Sequence, residues 1–168
     1  HILFVLGLFF YASKWRPLLM QITIFTLAHS LTLALASRGL FTLPATIVEP
    51  LIAVSIAYVA LENLWQKKLR FSRLLIIFAF GLLHGLGFAA VLSDIGLPST
   101  DFLISLISFN IGVELGQITV IAAALILSRL LPLSPDRYRR FIAAPSSLVI
   151  GIIGIGIAAE RLVGVWLS

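Results

Sequence analysis

Six long apolar runs, separated by short gaps that collect most of the charge, restrict this 168-residue chain to a bundle of membrane-spanning helices. Hydrocarbon leaves no partner for a free backbone N–H or C=O, so a run of about 20 apolar residues crosses it as a helix. The runs lie approximately at 1–13, 17–37, 42–65, 73–94, 101–129 and 140–164. Between them fall Lys14-Trp15-Arg16-Pro17, Arg38-Gly39, residues 66–73, Gly96-Leu97-Pro98 and residues 132–140. Only 11% of the residues are charged, where soluble domains carry about 25%, and no stretch is long enough for a separate soluble domain. The expectation is an all-α polytopic membrane protein with six transmembrane helices, forming one domain over residues 1–168. Trp15, Trp65 and Trp166 fall at helix ends, where an aromatic belt belongs.

The first run is short. Thirteen residues make ~20 Å of helix against a core of ~30 Å, so helix 1 is expected to be truncated at its start. A signal peptide would show a basic start and a small-residue cleavage site, and His1–Ser13 has neither.

The gaps also orient the chain. The first, third and fifth hold Lys14 and Arg16; Lys67, Lys68, Arg70 and Arg73; and Arg129, Arg137, Arg139 and Arg140. The second and fourth hold Arg38 and the acids Asp94 and Asp101. Ten basic residues against one place the odd gaps in the cytoplasm and both termini outside, with His1 at the outer mouth. Because the cations sit in these gaps, the net charge of +5 does not indicate nucleic acid.

Two runs carry a similar phrase. FTLAHSLTLA (Phe25–Ala34) and FGLLHGLGFA (Phe80–Ala89) align 55 positions apart, matching Phe25 with Phe80 and His29 with His84. Each is followed by a run with a Val-Glu pair, Val48-Glu49 and Val113-Glu114. Helices 2–3 and 4–5 would then form a parallel repeat about an axis along the membrane normal; chance and convergent packing are the alternatives. Gly81 and Gly85 make one Gly-x-x-x-Gly pair and Gly112 and Gly116 another, so helices 4 and 5 are expected to approach closely and bring His84 and Glu114 to one ion. Asn110, Glu114 and Gln117 read as a polar stripe on helix 5.

A titratable side chain inside a membrane helix is costly and marks a functional site by default. The expected metal ligands are His1, His29, Glu49, His84, Asn110 and Glu114. Their bland counterparts are a buried imidazole on a carbonyl or on Thr26 for His29, and a helix-start acid before Pro50 for Glu49. Glu62 and Asn63, near Lys67, read as an ion pair and cap; Glu160 and Arg161 read as interfacial. With no cysteine and the single methionine Met20, nitrogen and oxygen must do the ligating. The motifs H-E-x-x-H and G-x-S-x-G, a Walker loop and a Rossmann fingerprint are all missing.

The run HILFVLGLFF, then FTLAHSLTLALA, VEPLIAVSIAYVALEN, FGLLHGLGFA and FNIGVELGQ, resembles the HupE/UreJ family in content and order over nearly the whole chain. The resemblance implies a bacterial inner-membrane protein associated with hydrogenase or urease maturation and a nickel, sometimes cobalt, permease. The family's first motif has an upstream histidine and an Asp-His pair, of which only His1 is in this chain. By the same resemblance His29, Glu49, His84 and Glu114 are the positions for metal passage.

The reading is therefore a permease importing a divalent ion, Ni²⁺ first and Co²⁺ or Zn²⁺ as ligand-compatible alternatives. Its partners are the bilayer and the ion, with room for a homo-oligomer or a metallochaperone contact. The alternatives are a membrane Zn²⁺ hydrolase and a non-transporting metal-binding accessory subunit.

Overall fold

The computed structural model describes residues 1–11, 15–65, 70–95, 102–131 and 133–167, and only the backbone of 90–95, 102–103 and 165–167. Lys14, Lys67, Lys68, Gly96-Leu97-Pro98 and Asp101 lie outside the described residues, as do the side chains of Asp94 and Trp166. The regular elements are helices: α1 (Ile2–Tyr11), α2 (Trp15–Ser37), α3 (Ala45–Trp65), α4 (Phe71–Ile95), α5 (Phe102–Leu130), the short α6 (Pro135–Tyr138) and α7 (Ala144–Leu167). A single π-helical turn, Arg139–Ala143, joins the last two. Among the described residues, five stretches are long and apolar enough to cross a bilayer, beginning at Trp15, Ala45, Phe71, Ile104 and Pro135. The sixth expected span is α1, whose ten residues make ~15 Å, about half the hydrocarbon thickness.

The expected break at Arg38-Gly39 is a helix C-cap. Gly39 takes φ +71°, and its N–H and that of Leu40 donate to the carbonyls of Ala36 and Leu35, the paired bonds that satisfy the last turn of a helix.

Glycine decides the packing of α2 on α4. A Cβ on Gly81 would lie 2.6 Å from the Phe25 carbonyl oxygen and 2.8 Å from the Ala28 Cβ. One on Gly85 would lie 2.5 Å from the His29 carbonyl oxygen and 2.9 Å from the Thr32 Cβ. Only glycine lets the two backbones come this close. Successive glycines meet successive turns in the same order, so α2 and α4 run parallel, with the two similar phrases side by side at one level.

α1 lies over this pair. Its Phe4 ring is 4.7 Å from Phe25 and 6.2 Å from Phe80, bridging the two matched phenylalanines. α3 packs on α4, α1 and α7, while α5 packs on α1 and α2. Each carboxylate helix thus rests on the histidine helix it does not follow directly in the chain, an exchange expected of two pairs related by an axis along the membrane normal. The 55-residue spacing reaches polar side chains too. Ser55 of α3 bonds His84 on α4, and Asn110 of α5 bonds Ser30 on α2.

One packing expectation is overturned. Gly112 and Gly116 have nothing within 4 Å of an added Cβ and do not bring α4 to α5. The groove at Gly81 and Gly85 is already filled by Phe25, Ala28 and Thr32 of α2, leaving α5 only a narrow seam. The expected outcome is an asymmetry between the two pairs. Gly81→Ala and Gly85→Ala each destabilise by about 1–3 kcal/mol through overpacking. Gly112→Ala is neutral or gains up to about 1 kcal/mol from helix propensity. Thermal unfolding in detergent micelles reads the difference.

Candidate functional site

α1, α2 and α4 bring the three histidines together. The His1 ring lies 5.2 Å from His29 and 4.8 Å from His84, both nearly edge-on. His29 and His84 are completely buried. Phenylalanines wall the cluster: Phe88 is 4.5 Å from His1, Phe4 is 4.9 Å from His84 and Phe25 is 5.2 Å from His84. His1, expected at the outer mouth above the other ligands, instead lies beside His29 and His84. The described part of α1 begins level with the other two imidazoles, so His1 belongs to the cluster itself.

Ser55 sets the His84 tautomer. The Ser55 Oγ lies 2.7 Å from the Ile52 carbonyl oxygen and 2.9 Å from His84 Nε2. A serine has one proton to donate, and the carbonyl can only accept it. The serine oxygen therefore accepts from His84 Nε2–H, leaving Nδ1 with its lone pair. That Nδ1 is buried without a hydrogen-bond partner, as are His1 Nε2 and both ring nitrogens of His29. Buried polar atoms are nearly always bonded, so four orphaned imidazole nitrogens in one place are costly. Nitrogen donors of this kind suit borderline divalent ions. The rings meet edge to face, and among the described residues no group of three or more His, Cys, Asp or Glu is disposed to hold a metal ion. Coordination would require the rings to turn.

The carboxylates expected beside the imidazoles stand elsewhere. Glu49 is exposed and pairs with Arg161 at 2.9 Å, because at the start of α3 it lies near the membrane surface. Glu114 is exposed on the outer side of α5. Asn110 and Gln117 of the same stripe turn inward to bond Ser30 (2.8 Å) and Thr26 (3.3 Å) of α2. A residue four positions along a helix is rotated by about 40°, enough to carry Glu114 off so narrow a seam. The Asn110 amide is committed at both ends, to Ser30 and to the Leu106 carbonyl, and holds helices together rather than facing the histidines.

Lys67, read as the neighbour that Glu62 and Asn63 pair with or cap, lies outside the described residues, and within them Glu62 and Asn63 have a different partner. They meet Arg73, a residue that reads in the sequence as one more cation at a helix end but is 1% exposed. Its guanidinium donates to Glu62 Oε2 in an ion pair, to Asn63 Oδ1 at 3.1 Å and to Gln21 Oε1 at 3.0 Å. It also lies 3.7 Å over the Tyr11 ring. Asn63 in turn donates to the Gly7 carbonyl (2.8 Å) and Ser147 Oγ (3.1 Å). Five helices therefore meet at one buried charge. A sequence signal was available. Ser55 and Glu62 share a face of α3 seven residues apart, and at a spacing of 55 they match the polar Asn110 and Gln117.

Fold and site together define a polytopic all-α membrane protein with a polar centre between its helices. The chain belongs to the family described as HupE / UreJ protein, which matches residues 1–161. No curated protein and no solved structure matches the chain.

Histidine-selective ¹⁵N solid-state NMR tests the tautomer. One imidazole of the three is expected to be locked with its proton on Nε2, and Ser55→Ala is expected to convert that signal to a tautomer mixture.

Proposed function

We propose that the protein is a permease that carries a divalent transition-metal ion, Ni²⁺ first and Co²⁺ next, across a bacterial inner membrane through the His1–His29–His84 cluster. The observation that carries this reading is the convergence of three imidazoles, four of whose nitrogens are buried without partners. His84 offers Nδ1, held in that form by Ser55; His29 and His1 offer ring nitrogens from the neighbouring helices. Three neutral imidazoles bring no countercharge to a dication. Three imidazoles leave coordination positions of the ion open to water, through which it can exchange ligands and leave again. The end of the bundle carrying Arg16, Arg70, Arg137 and Arg140 is cytoplasmic by the positive-inside bias, so import runs from the Glu49 end toward the Arg73 end.

A membrane hydrolase would need a base beside the metal-bound water, and Glu49, Glu62 and Glu114 are each exposed or already paired. An accessory subunit would bind the ion without moving it. Uptake of radioactive Ni²⁺ into vesicles separates the readings. His29→Ala and His84→Ala are expected to abolish saturable uptake, and Glu114→Gln to retain it. Ser55→Ala is expected to weaken apparent affinity by about 10–100-fold, the usual effect of losing a group that orients a metal ligand. Full uptake in both histidine variants would overturn the site; binding without flux would favour the accessory reading.

A further inference from the structure

Between the histidine cluster and the basic end of the bundle, the structure is built in layers. On α3, Ser55 and Glu62 are two turns apart on one face, with Val59 between them. On α4, His84 and Arg73 are three turns apart with Ile77 between, and on α2, His29 and Gln21 are two turns apart with Phe25 between. α1 adds Phe4 and Leu8 between His1 and Tyr11. Phe4, Leu8, Phe25, Val59 and Ile77 are all at most 1% exposed. They form one apolar layer where α1, α2, α3 and α4 meet, bordered on the α5 side by the bond between Thr26 and the buried Gln117. Below it lies the Arg73–Glu62 ion pair with Gln21, Asn63 and Tyr11. Below that again, Tyr11 and Asn63 line a cavity of about 430 Å³ shared with Ser128, Asp136, Tyr138 and Arg139.

We propose that the apolar layer and the Arg73–Glu62 latch are the closed inner gate of the path, and that the cavity beneath is the vestibule through which the ion leaves. The proposal rests on the transport reading for its cargo but not for its geometry. An apolar constriction stops a hydrated cation because no group there replaces its water. The latch keeps that constriction shut: Arg73 ties α4 to α2 and α3, and Asn63 extends the tie to α1 and α7. Releasing the ion pair frees α1 from Tyr11 downward, and α1 supplies Phe4 and Leu8 to the layer. The vestibule then offers oxygen donors (Ser128, Asp136, the Asn63 amide and two tyrosine hydroxyls) to an ion leaving nitrogen ligands. Glu62 also becomes a free carboxylate next to the exit once Arg73 lets go. Opening the gate and providing a countercharge for the departing ion are thus one event.

The chain contains no cysteine, so a single thiol placed in the layer reports on its access to water. Val59→Cys is introduced into the full-length chain in proteoliposomes and challenged with a membrane-impermeant thiosulfonate from the basic end. In the otherwise native protein the thiol is expected to be protected. With Glu62→Gln added, modification is expected to accelerate at least about tenfold, the response to a tenfold shift of the open–closed equilibrium. The exchanged pair Glu62→Arg with Arg73→Glu is expected to restore protection. The milder Gln21→Ala, which removes one hydrogen bond from Arg73, is expected to raise the rate less. Size-exclusion profile and unfolding temperature are followed in every variant, and an accelerated rate counts for the gate only where both match the parent. Protection that persists in folded Glu62→Gln and Gln21→Ala proteins would overturn the gate. Reactivity at Val59→Cys already maximal in the parent would overturn it as well. If the latch variants open the layer while no variant, nor the parent, takes up Ni²⁺, the gate geometry stands and the transport reading falls.

Discussion

The approach of α2 to α4 through Gly81 and Gly85 underlies the rest of the molecule. A methyl group at Gly81 or Gly85 would lie 2.6 or 2.5 Å from a carbonyl oxygen of α2, well inside van der Waals contact, so only glycine allows the two backbones to run side by side. Their parallel course aligns Phe25 with Phe80 and His29 with His84, and the paired rings make the seat that α1 occupies. His1 meets both histidines and Phe4 meets both phenylalanines because the two helices present the same pair of side chains at the same level. The apolar environment needs such a contact. In hydrocarbon there is little solvent-driven force to press helices together, and close van der Waals packing has to supply it.

The polar groups inside the bundle are divided by how they are satisfied. At the basic end, Arg73, Glu62, Asn63 and Gln21 satisfy one another almost completely. A buried charge pair persists only where each member keeps several bonds. In the middle, four of the imidazole nitrogens are left without partners. The first arrangement is what a structural or closing element needs. The second is what a site for a visiting ligand needs, since nitrogens already bonded within the protein would have to be released first. The apolar layer between them keeps the two kinds of polarity apart.

The candidate residues that the structure brings together, and those it leaves apart, differ in a physical way. His29 and His84 were legible because an imidazole inside an apolar run is rare enough to stand out. Glu49 and Glu114 were equally rare, but rarity does not state which way a side chain points. Glu114 shares a stripe with Asn110 and Gln117, yet a rotation of a few tens of degrees is enough to separate an outward-facing position from a seam-facing one. Ser55 and Arg73 were overlooked for the opposite reason. Serine is unremarked in a membrane helix, and an arginine at a helix end reads as an ordinary topology signal.

The sequence alone determined that the chain is helical and polytopic, that its cations gather at one end, and that any metal must be held by nitrogen and oxygen. These are consequences of composition and of runs measured against a fixed hydrocarbon thickness, and they do not depend on which helix touches which. Only the tertiary structure decided that α2, rather than α5, fills the glycine groove of α4, that α1 is seated on the matched phrases, and that Glu62 belongs to Arg73. Lipid solvates every apolar face almost equally, so hydrophobicity cannot choose among neighbours. Shape at the glycines and the pairing of a few buried polar groups make that choice.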